Sequence, residues 1–230
     1  MQTLFLLSGL LCNEDVWQYQ TQELQKQYDV RVVSFQGFDS IPAMASHVLA
    51  QAPETFSLAG HSMGGRVAIE AYRQAPERIR RLALLDTGYE AAAPHEYEKR
   101  MTLVNKALAE GIGSIAETWA KPMIGVSNRS DETLIQRMLD MVGTMSGEIY
   151  AGQTRALLGR PDGTDVLPTI ACPTLVLCGK EDTWSPPERH KQMASLITDS
   201  HLTLVDSCGH MCMMERPAQI LDALSEWMTL

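Results

Sequence analysis

The sequence predicts an α/β protein with one parallel sheet of about six strands and helices on both faces. Short apolar runs alternate with segments of helical periodicity, which is typical of strands joined by crossover helices. The chain has 230 residues, of which 45% are hydrophobic and 20% are charged. A chain of this length and composition can bury a core without disulfides or a structural metal.

Six apolar runs are predicted as strands, at residues 3–7, 30–34, 56–60, 79–85, 174–178 and 201–205. Runs bounded in this way are expected of strands that are buried on both faces. Helical spacing follows at residues 14–28, 41–50, 63–74, 187–196 and 218–228. Ser40 is well placed to cap the second of these helices, with Pro42 in its first turn.

The segment after the fourth strand has helical periodicity, at residues 94–110, 115–120, 131–142 and 148–158, but no strand pattern. Glycines and prolines separate these helices. We therefore predict a core formed by residues 1–88 and 159–230, and a helical cap inserted at residues 89–158. The last cap helix is also compatible with a place in the core layer.

The net charge of −9 argues against nucleic acid or an anionic membrane as a partner, because both require clustered basic residues. The apolar start, residues 1–12, lacks the basic residues and cleavage site of a signal peptide. Five irregularly spaced cysteines indicate free thiols and a cytoplasmic location. We expect a small-molecule substrate, and the sequence leaves a monomer and a homodimer equally open.

The main chemical signal is Gly60-His61-Ser62-Met63-Gly64, a G-x-S-x-G motif between a predicted strand and a predicted helix. A sharp turn at this place lifts the serine hydroxyl above the sheet edge, and the glycines leave room for crowded backbone. A phosphate-binding loop would need further glycines or a Gly-Lys-Ser/Thr ending. Ser62 is therefore the predicted nucleophile.

A serine hydroxyl needs a base, and His210 is the best placed of six histidines. It follows the last strand, at the sheet end where parallel sheets place their sites. His61 is expected to point away from Ser62. The remaining histidines are expected on solvated helix surfaces or at a strand start: His47, His95, His190 and His201. Cys208 and Cys212 flank His210, but this is not a usual zinc spacing, so no metal is expected.

The base in turn needs a carboxylate, and two strand ends offer one. Asp182 follows the fifth strand in a loop that is long enough to bend toward His210. Asp86, directly after the fourth strand, is a rival, although Thr87-Gly88 leaves it less reach. Glu181 is expected to face another way. We predict that Asp182 completes the triad.

Two backbone N–H groups are needed to stabilise the oxyanion that forms during acyl transfer. Met63, directly after the serine, is predicted to supply one of them. Leu10, in the loop after the first strand, is predicted to supply the other. Gly9 is expected to let the chain turn so that the Leu10 N–H faces Ser62.

The segments GHSMGG, GKEDTWSP and CGHMCMMERP resemble the nucleophile elbow, acid loop and histidine loop of the α/β-hydrolase superfamily, in its serine esterase-like branch. The resemblance covers almost the whole chain. It implies the α/β-hydrolase fold without its first two strands, with six parallel strands remaining. The sequence departs from the family at Ser8-Gly9, where the family usually has His-Gly.

The resemblance implies cleavage of a carboxylic ester, lactone or thioester through an acyl-enzyme on Ser62, with neither a metal nor an organic cofactor. One alternative is a carbon–carbon bond hydrolase or lyase in which the serine relays a proton. Another is a non-catalytic ligand-binding protein that reuses the fold. The candidate substrate-lining residues are Leu11, Trp17, Met123, Trp184 and Met211.

Overall fold

The computed structural model describes residues 1–230 and contains one sheet of six parallel strands in the order β2-β1-β3-β4-β5-β6. The predicted fold class is confirmed. The strands are β1 Thr3–Leu7, β2 Asp29–Val33, β3 Phe56–His61, β4 Ile79–Leu85, β5 Thr174–Gly179 and β6 Ser200–Val205.

The helices are α1 Gln18–Leu24, α2 Ile41–Gln51, α3 Met63–Gln74, α4 Glu96–Glu110, α5 Ala116–Ala120, α6 Glu132–Gly143, α7 Gly147–Leu158, α8 Pro187–Leu196, α9 Cys212–Glu215 and α10 Pro217–Trp227. Most agree with the predicted helices within two residues. The first predicted helix is shorter than expected, because a 3₁₀ turn at Glu14–Trp17 precedes it and turns end it before β2. Asn13 caps that 3₁₀ turn by accepting the Asp15 N–H.

The strand order reverses direction at β1, and this places helices on both faces of the sheet. The α1 connection steps from β1 outward to β2, whereas α2 steps back across β1 to β3. Because such crossovers are right-handed, the two connections lie on opposite faces. Helix α3 packs beside α2, and α10 packs beside α1. The crevice at this reversal lies between the carboxyl ends of β1 and β3, where open α/β sheets bind ligands.

The apolar core is continuous through the sheet. Every residue of β1, β3 and β5 is buried, as expected of strands covered on both faces, whereas the edge strands β2 and β6 are partly exposed. The cluster of buried hydrophobic residues extends from the strands into the helices of the 89–158 segment. None of the helices combines the length and apolar character that crossing a membrane requires.

The segment between β4 and β5 folds into α4 to α7 with short 3₁₀ turns between them. Helix α7 packs closely on α4, since a Cβ on Gly147 would lie 2.6 Å from the Ala107 carbonyl oxygen. Helix α7 also reaches the sheet edge, where the buried side chain of Gln153 hydrogen bonds to the loops after β1 and β2. This segment therefore covers the carboxyl ends of the strands.

Candidate active site

The turn from β3 into α3 holds Ser62 in a strained backbone conformation. Its φ angle is 54°, in the region that disfavours residues with a side chain, at a cost of about 1–3 kcal/mol. The Ser62 N–H donates to the Leu85 carbonyl at 2.9 Å, which fixes the turn to β4. A Cβ on Gly60 would collide with the Gly64 carbonyl, so glycine is required at this approach.

The structure brings the predicted serine, histidine and aspartate together in one line of hydrogen bonds. The distance from Ser62 Oγ to His210 Nε2 is 2.8 Å, and the distance from His210 Nδ1 to Asp182 Oδ2 is also 2.8 Å. An ionised carboxylate only accepts hydrogen bonds, so Nδ1 carries the proton and donates it. The other ring nitrogen, Nε2, is then free to accept the Ser62 hydroxyl proton.

Asp182 is held by more than the imidazole. Its Oδ1 accepts the backbone N–H groups of Trp184 at 2.7 Å and Ser185 at 2.9 Å. Burial alone would raise the pKa of Asp182, but the His210 charge and these hydrogen bonds lower it below the ordinary value. Asp182 is therefore an oriented, ionised carboxylate.

The His210 ring is almost completely buried, with 4% of the residue exposed. Burial lowers the pKa of an imidazole, but here the adjacent Asp182 carboxylate outweighs burial and raises the pKa of His210 above its ordinary value. The site thus stabilises the imidazolium that forms when His210 takes a proton.

The rival carboxyl groups make no hydrogen bond to the His210 ring. Asp86 is completely buried and its Oδ1 accepts the Gly179 N–H at 2.8 Å, while its Oδ2 has no hydrogen-bond partner. Burial raises the pKa of Asp86 well above its ordinary value, and the Asp182 charge adds to this. Glu181 faces away from the imidazole, as expected, and accepts the Ser127 N–H at 2.9 Å.

Two further histidines lie in this region, and sequence reasoning gave neither of them a role. His61 is buried, and its Nε2 donates to the His210 carbonyl at 2.8 Å. Burial lowers the pKa of His61 to about 3, so the ring is neutral. The position of His61 next to Ser62 in the sequence indicates that it lies near the site, but it does not reveal that the ring binds the backbone of His210.

The expectation that His190 lies on a solvated helix surface is wrong. The residue is 0% exposed, and its Nε2 accepts the Thr87 N–H at 3.0 Å. Burial lowers the pKa of His190 to about 4. His190 lies on the inner face of α8 and binds the turn after β4 through Thr87. Thr87 in turn donates its hydroxyl to the Ser62 carbonyl at 2.6 Å, so His190 is linked to the serine turn through one residue.

The loop after β1 lies against the serine turn, but its geometry differs from the expected turn at Gly9. The left-handed residue is Leu11, with a φ angle of 55°, and its N–H donates to Gln153 Oε1 at 2.9 Å. Gly9 is needed for a close approach instead, since a Cβ there would lie 2.9 Å from His61 Nδ1.

The two predicted oxyanion donors are both close to this turn. Leu10 is 6% exposed, and its N–H donates to no other group of the protein. Met63 is the first residue of α3, where backbone N–H groups have no partner within the helix. The positive end of the helix dipole therefore lies beside Ser62. Their role as oxyanion donors stays a prediction.

The predicted substrate-lining residues differ in exposure. Leu11, Trp17 and Met211 are completely buried, and 4% of Met123 is exposed. Trp184 is 36% exposed, with its ring centroid 6.5 Å from that of His210. Trp184 is the one member of the set with substantial exposed surface, and the roles of all five stay predictions.

One group of side chains could in principle hold a metal ion. The potential ligand atoms of Asp86, Cys178 and Asp182 lie within 4.8 Å of one another, and all three residues are buried. The Asp182 oxygens already accept three hydrogen bonds, so a cation there would compete with the His210 contact. Both ring nitrogens of His210 take part in hydrogen bonds. The ring therefore has no free nitrogen with which to bind a metal ion together with Cys208 and Cys212.

Comparisons with known proteins give a family match over most of the chain. The model of the Alpha/beta hydrolase family matches residues 4–223. The Pimeloyl-[acyl-carrier protein] methyl ester esterase of Nitrosomonas europaea is 23% identical over 240 residues, which cover 95% of this chain and 92% of that protein. The (E)-2-((N-methylformamido)methylene)succinate hydrolase of Acinetobacter baylyi is 26% identical, with 99% of this chain and 90% of that protein covered.

A solved structure extends the comparison to three dimensions. A thermophilic esterase from Thermogutta terrifontis superposes with a TM-score of 0.90 and 29% sequence identity, covering 100% of this chain and 90% of that one. This chain also covers 47% of a longer, bifunctional relative.

Proposed function

The chain belongs to the alpha/beta hydrolase family, and on that premise we propose that it is a serine hydrolase that cleaves a carboxylic ester of a small molecule. The observation that carries the proposal is the unbroken hydrogen-bond line from Ser62 through His210 to Asp182. That line places a base within reach of the hydroxyl and a carboxylate behind the base, as nucleophilic catalysis by serine requires.

In the proposed reaction, the Ser62 hydroxyl attacks the acyl carbon while His210 Nε2 takes its proton. The Leu10 and Met63 N–H groups stabilise the oxyanion, and Asp182 stabilises the imidazolium. The imidazolium then protonates the leaving alcohol, which departs and leaves an acyl group on Ser62. His210 next activates a water molecule, which releases the acid and restores the serine.

The relatives support an ester in particular. The Thermogutta terrifontis protein is an esterase, and the Nitrosomonas europaea relative is a methyl ester esterase. The exposed indole of Trp184 beside His210 offers an apolar surface for a small substrate. A cytoplasmic location is part of the proposal, in keeping with five free cysteines.

The test is labelling with a fluorophosphonate together with hydrolysis of an aryl acetate. We expect one covalent adduct on Ser62 in the unsubstituted protein, located by peptide mass spectrometry. Ser62→Ala should lose the adduct and about 10⁶-fold in kcat, as other triad serines do. Ser46→Ala, a change at an exposed helix serine, is the matched control and should keep both.

Two results would contradict the proposal. One is a folded Ser62→Ala variant that hydrolyses the ester at the unsubstituted rate. The other is ester turnover without any acyl or phosphonyl adduct on Ser62, which would favour the carbon–carbon hydrolase or lyase chemistry in which the serine only relays a proton.

A further inference from the structure

We propose that Glu215 is a positioning residue for His210, and that it fixes the histidine loop to the segment of residues 121–128. The inference rests on the proposed function, since it concerns the base of that reaction. Glu215 ends α9, five residues after His210, and is 6% exposed. Its side chain does not touch Ser62, and among the predicted substrate-lining residues it touches only the backbone N–H of Met211.

Each oxygen of the Glu215 carboxylate accepts two hydrogen bonds. Oε1 accepts the Gly209 N–H at 3.0 Å and the Met211 N–H at 3.2 Å, and these are the N–H groups of the residues on either side of His210. Oε2 accepts the Gly125 N–H at 2.9 Å and the Asn128 side-chain amide at 2.7 Å. One buried carboxylate therefore binds the base loop and the cap together.

The backbone groups of His210 itself are also bound, on one side by the 121–128 segment and on the other by the end of β3. Its N–H donates to the Met123 carbonyl at 2.8 Å, and its carbonyl accepts from His61 Nε2 at 2.8 Å. The two chain segments are in backbone contact, since a Cβ on Gly125 would lie 2.7 Å from the Gly209 nitrogen. Glu215 accepts hydrogen bonds from the backbone N–H groups that this close packing would otherwise leave without a partner.

The chemistry explains why this residue is a glutamate. An ionised carboxylate has acceptor sites for four donors, and all of them are used here. Glutamine has the same shape, but its NH₂ group donates and cannot accept. Glu215→Gln therefore leaves buried N–H groups facing a donor on one side, either at the base loop or at residues 125–128. The loop must shift to relieve this conflict, and the imidazole shifts with it.

The experiment compares Glu215→Gln with Glu181→Gln. Glu181 is the matched control, because its carboxylate also binds the cap, at the Ser127 N–H, but does not touch the histidine loop. With an aryl acetate, and with active sites counted by fluorophosphonate, we expect Glu215→Gln to lower kcat about 10- to 100-fold, because displacement of a catalytic group by about 1 Å has costs of this size. KM should stay within about twofold, since the residue does not meet the substrate.

A second readout is independent of turnover. In ¹⁵N-histidine-labelled protein, the His210 Nδ1–H that donates to Asp182 gives a downfield proton signal, which is assigned by its loss in Asp182→Asn. Glu215→Gln should displace or broaden this signal, and Glu181→Gln should leave it in place. If the protein hydrolyses no ester, this measurement still decides the role of Glu215, and the proposed function alone fails.

Glu215→Asp covers the case in which the glutamine variant does not fold. It keeps an acceptor-only carboxylate that is one methylene shorter, so the role as acceptor predicts that the signal is retained with a smaller loss of kcat. A folded Glu215→Gln with unchanged kcat and an unmoved signal would overturn the inference. An Asp variant that folds but has lost the signal as completely as the glutamine variant would also contradict it.

Discussion

Two aspartates follow the carboxyl ends of the neighbouring strands β4 and β5, and the structure places them in opposite environments. Asp182 accepts hydrogen bonds from the imidazole and from two backbone N–H groups. Asp86 accepts one, from Gly179, and its second oxygen has no partner although the residue is completely buried. Strand position alone does not distinguish them.

The difference shows that local donors decide which carboxyl ionises. Three donors stabilise the charge of Asp182, so its pKa lies below the ordinary value in spite of burial. Asp86 lies beside the Cys178 thiol and close to Asp182, where a second charge would be repelled. Burial raises the pKa of Asp86 well above its ordinary value. The surroundings of Asp86 therefore favour the protonated carboxylic acid, whereas those of Asp182 favour the ionised carboxylate.

Backbone contacts explain the difference in reach. The loop after β5 crosses toward the histidine loop, with the Lys180 N–H bonded to the Val205 carbonyl and the Glu181 N–H bonded to the Cys208 carbonyl, both at 2.8 Å. The chain turns directly at Asp86, whose φ angle is 44° and whose N–H donates to the Leu177 carbonyl of β5. This short turn keeps the Asp86 carboxyl close to the end of its own strand.

The largest expected effect comes from exchanging each aspartate for asparagine. Asp182→Asn should lower kcat by about 10⁴-fold, as the equivalent change did in a protease triad, because asparagine cannot stabilise the imidazolium or hold the tautomer. Asp86→Asn should keep kcat within a few-fold, because asparagine resembles a neutral acid in charge and size. The measurement is steady-state hydrolysis of an aryl acetate with titrated active sites. Reversed results would assign the triad acid to β4.

The pH dependence of turnover sharpens the same comparison. His210 must be neutral to act as a base, so kcat/KM should rise with pH through an ionisation above the ordinary imidazole range, since the pKa of His210 is raised. In Asp182→Asn the midpoint of the pH profile of the residual activity should move to lower pH, because the charge that raises the pKa of His210 is gone. In Asp86→Asn the profile should not move. A shift of the same size in both variants would mean that Asp86 is also ionised.

Much of this site was predictable from the sequence. The order of strands and helices follows from local patterns, and so do the candidate serine on its turn and the candidate histidine after the last strand. The structure brings Ser62, His210 and Asp182 within hydrogen-bond distance, and their catalytic roles stay predictions. The sequence left Asp86 as a rival because both aspartates follow strands that end at the same edge of the sheet. The number of N–H donors around each carboxyl depends on three-dimensional packing, which the strand pattern does not show.

What the sequence did not reveal depends on contacts between distant segments. The buried position of His190 follows from how α8 faces the turn after β4, which no periodicity shows in a helix with few apolar residues. The hydrogen bonds of Gln153 and Glu215 join segments about 90 residues or more apart along the chain. Residues of these types are usually exposed, and only their hydrogen-bond partners explain their burial.

The smallest effect we expect is on stability, and it depends on the protonation of Asp86. An aspartate in the unfolded chain ionises above about pH 3.9, whereas Asp86 in the folded protein keeps its proton to higher pH. The folded state then binds more protons than the unfolded state. The contribution of Asp86 to the free energy of unfolding therefore decreases by about 1.4 kcal/mol for each unit that the pH rises, until the folded carboxyl ionises. Asparagine has no such dependence. The stability of Asp86→Asn relative to the unsubstituted protein should therefore increase with pH.

Urea unfolding of both proteins at pH 5 and pH 7 measures this increase, and it separates the protonation from any packing cost of asparagine, which is the same at both values. Asp222→Asn, a change of an exposed aspartate on α10, is the control and should leave the difference between the two pH values as in the unsubstituted protein. A stability of Asp86→Asn, relative to the unsubstituted protein, that does not change between pH 5 and pH 7 would show that Asp86 is ionised in the fold. The contrast between the two strand-end aspartates would then lie in their reach toward His210 and not in their charge.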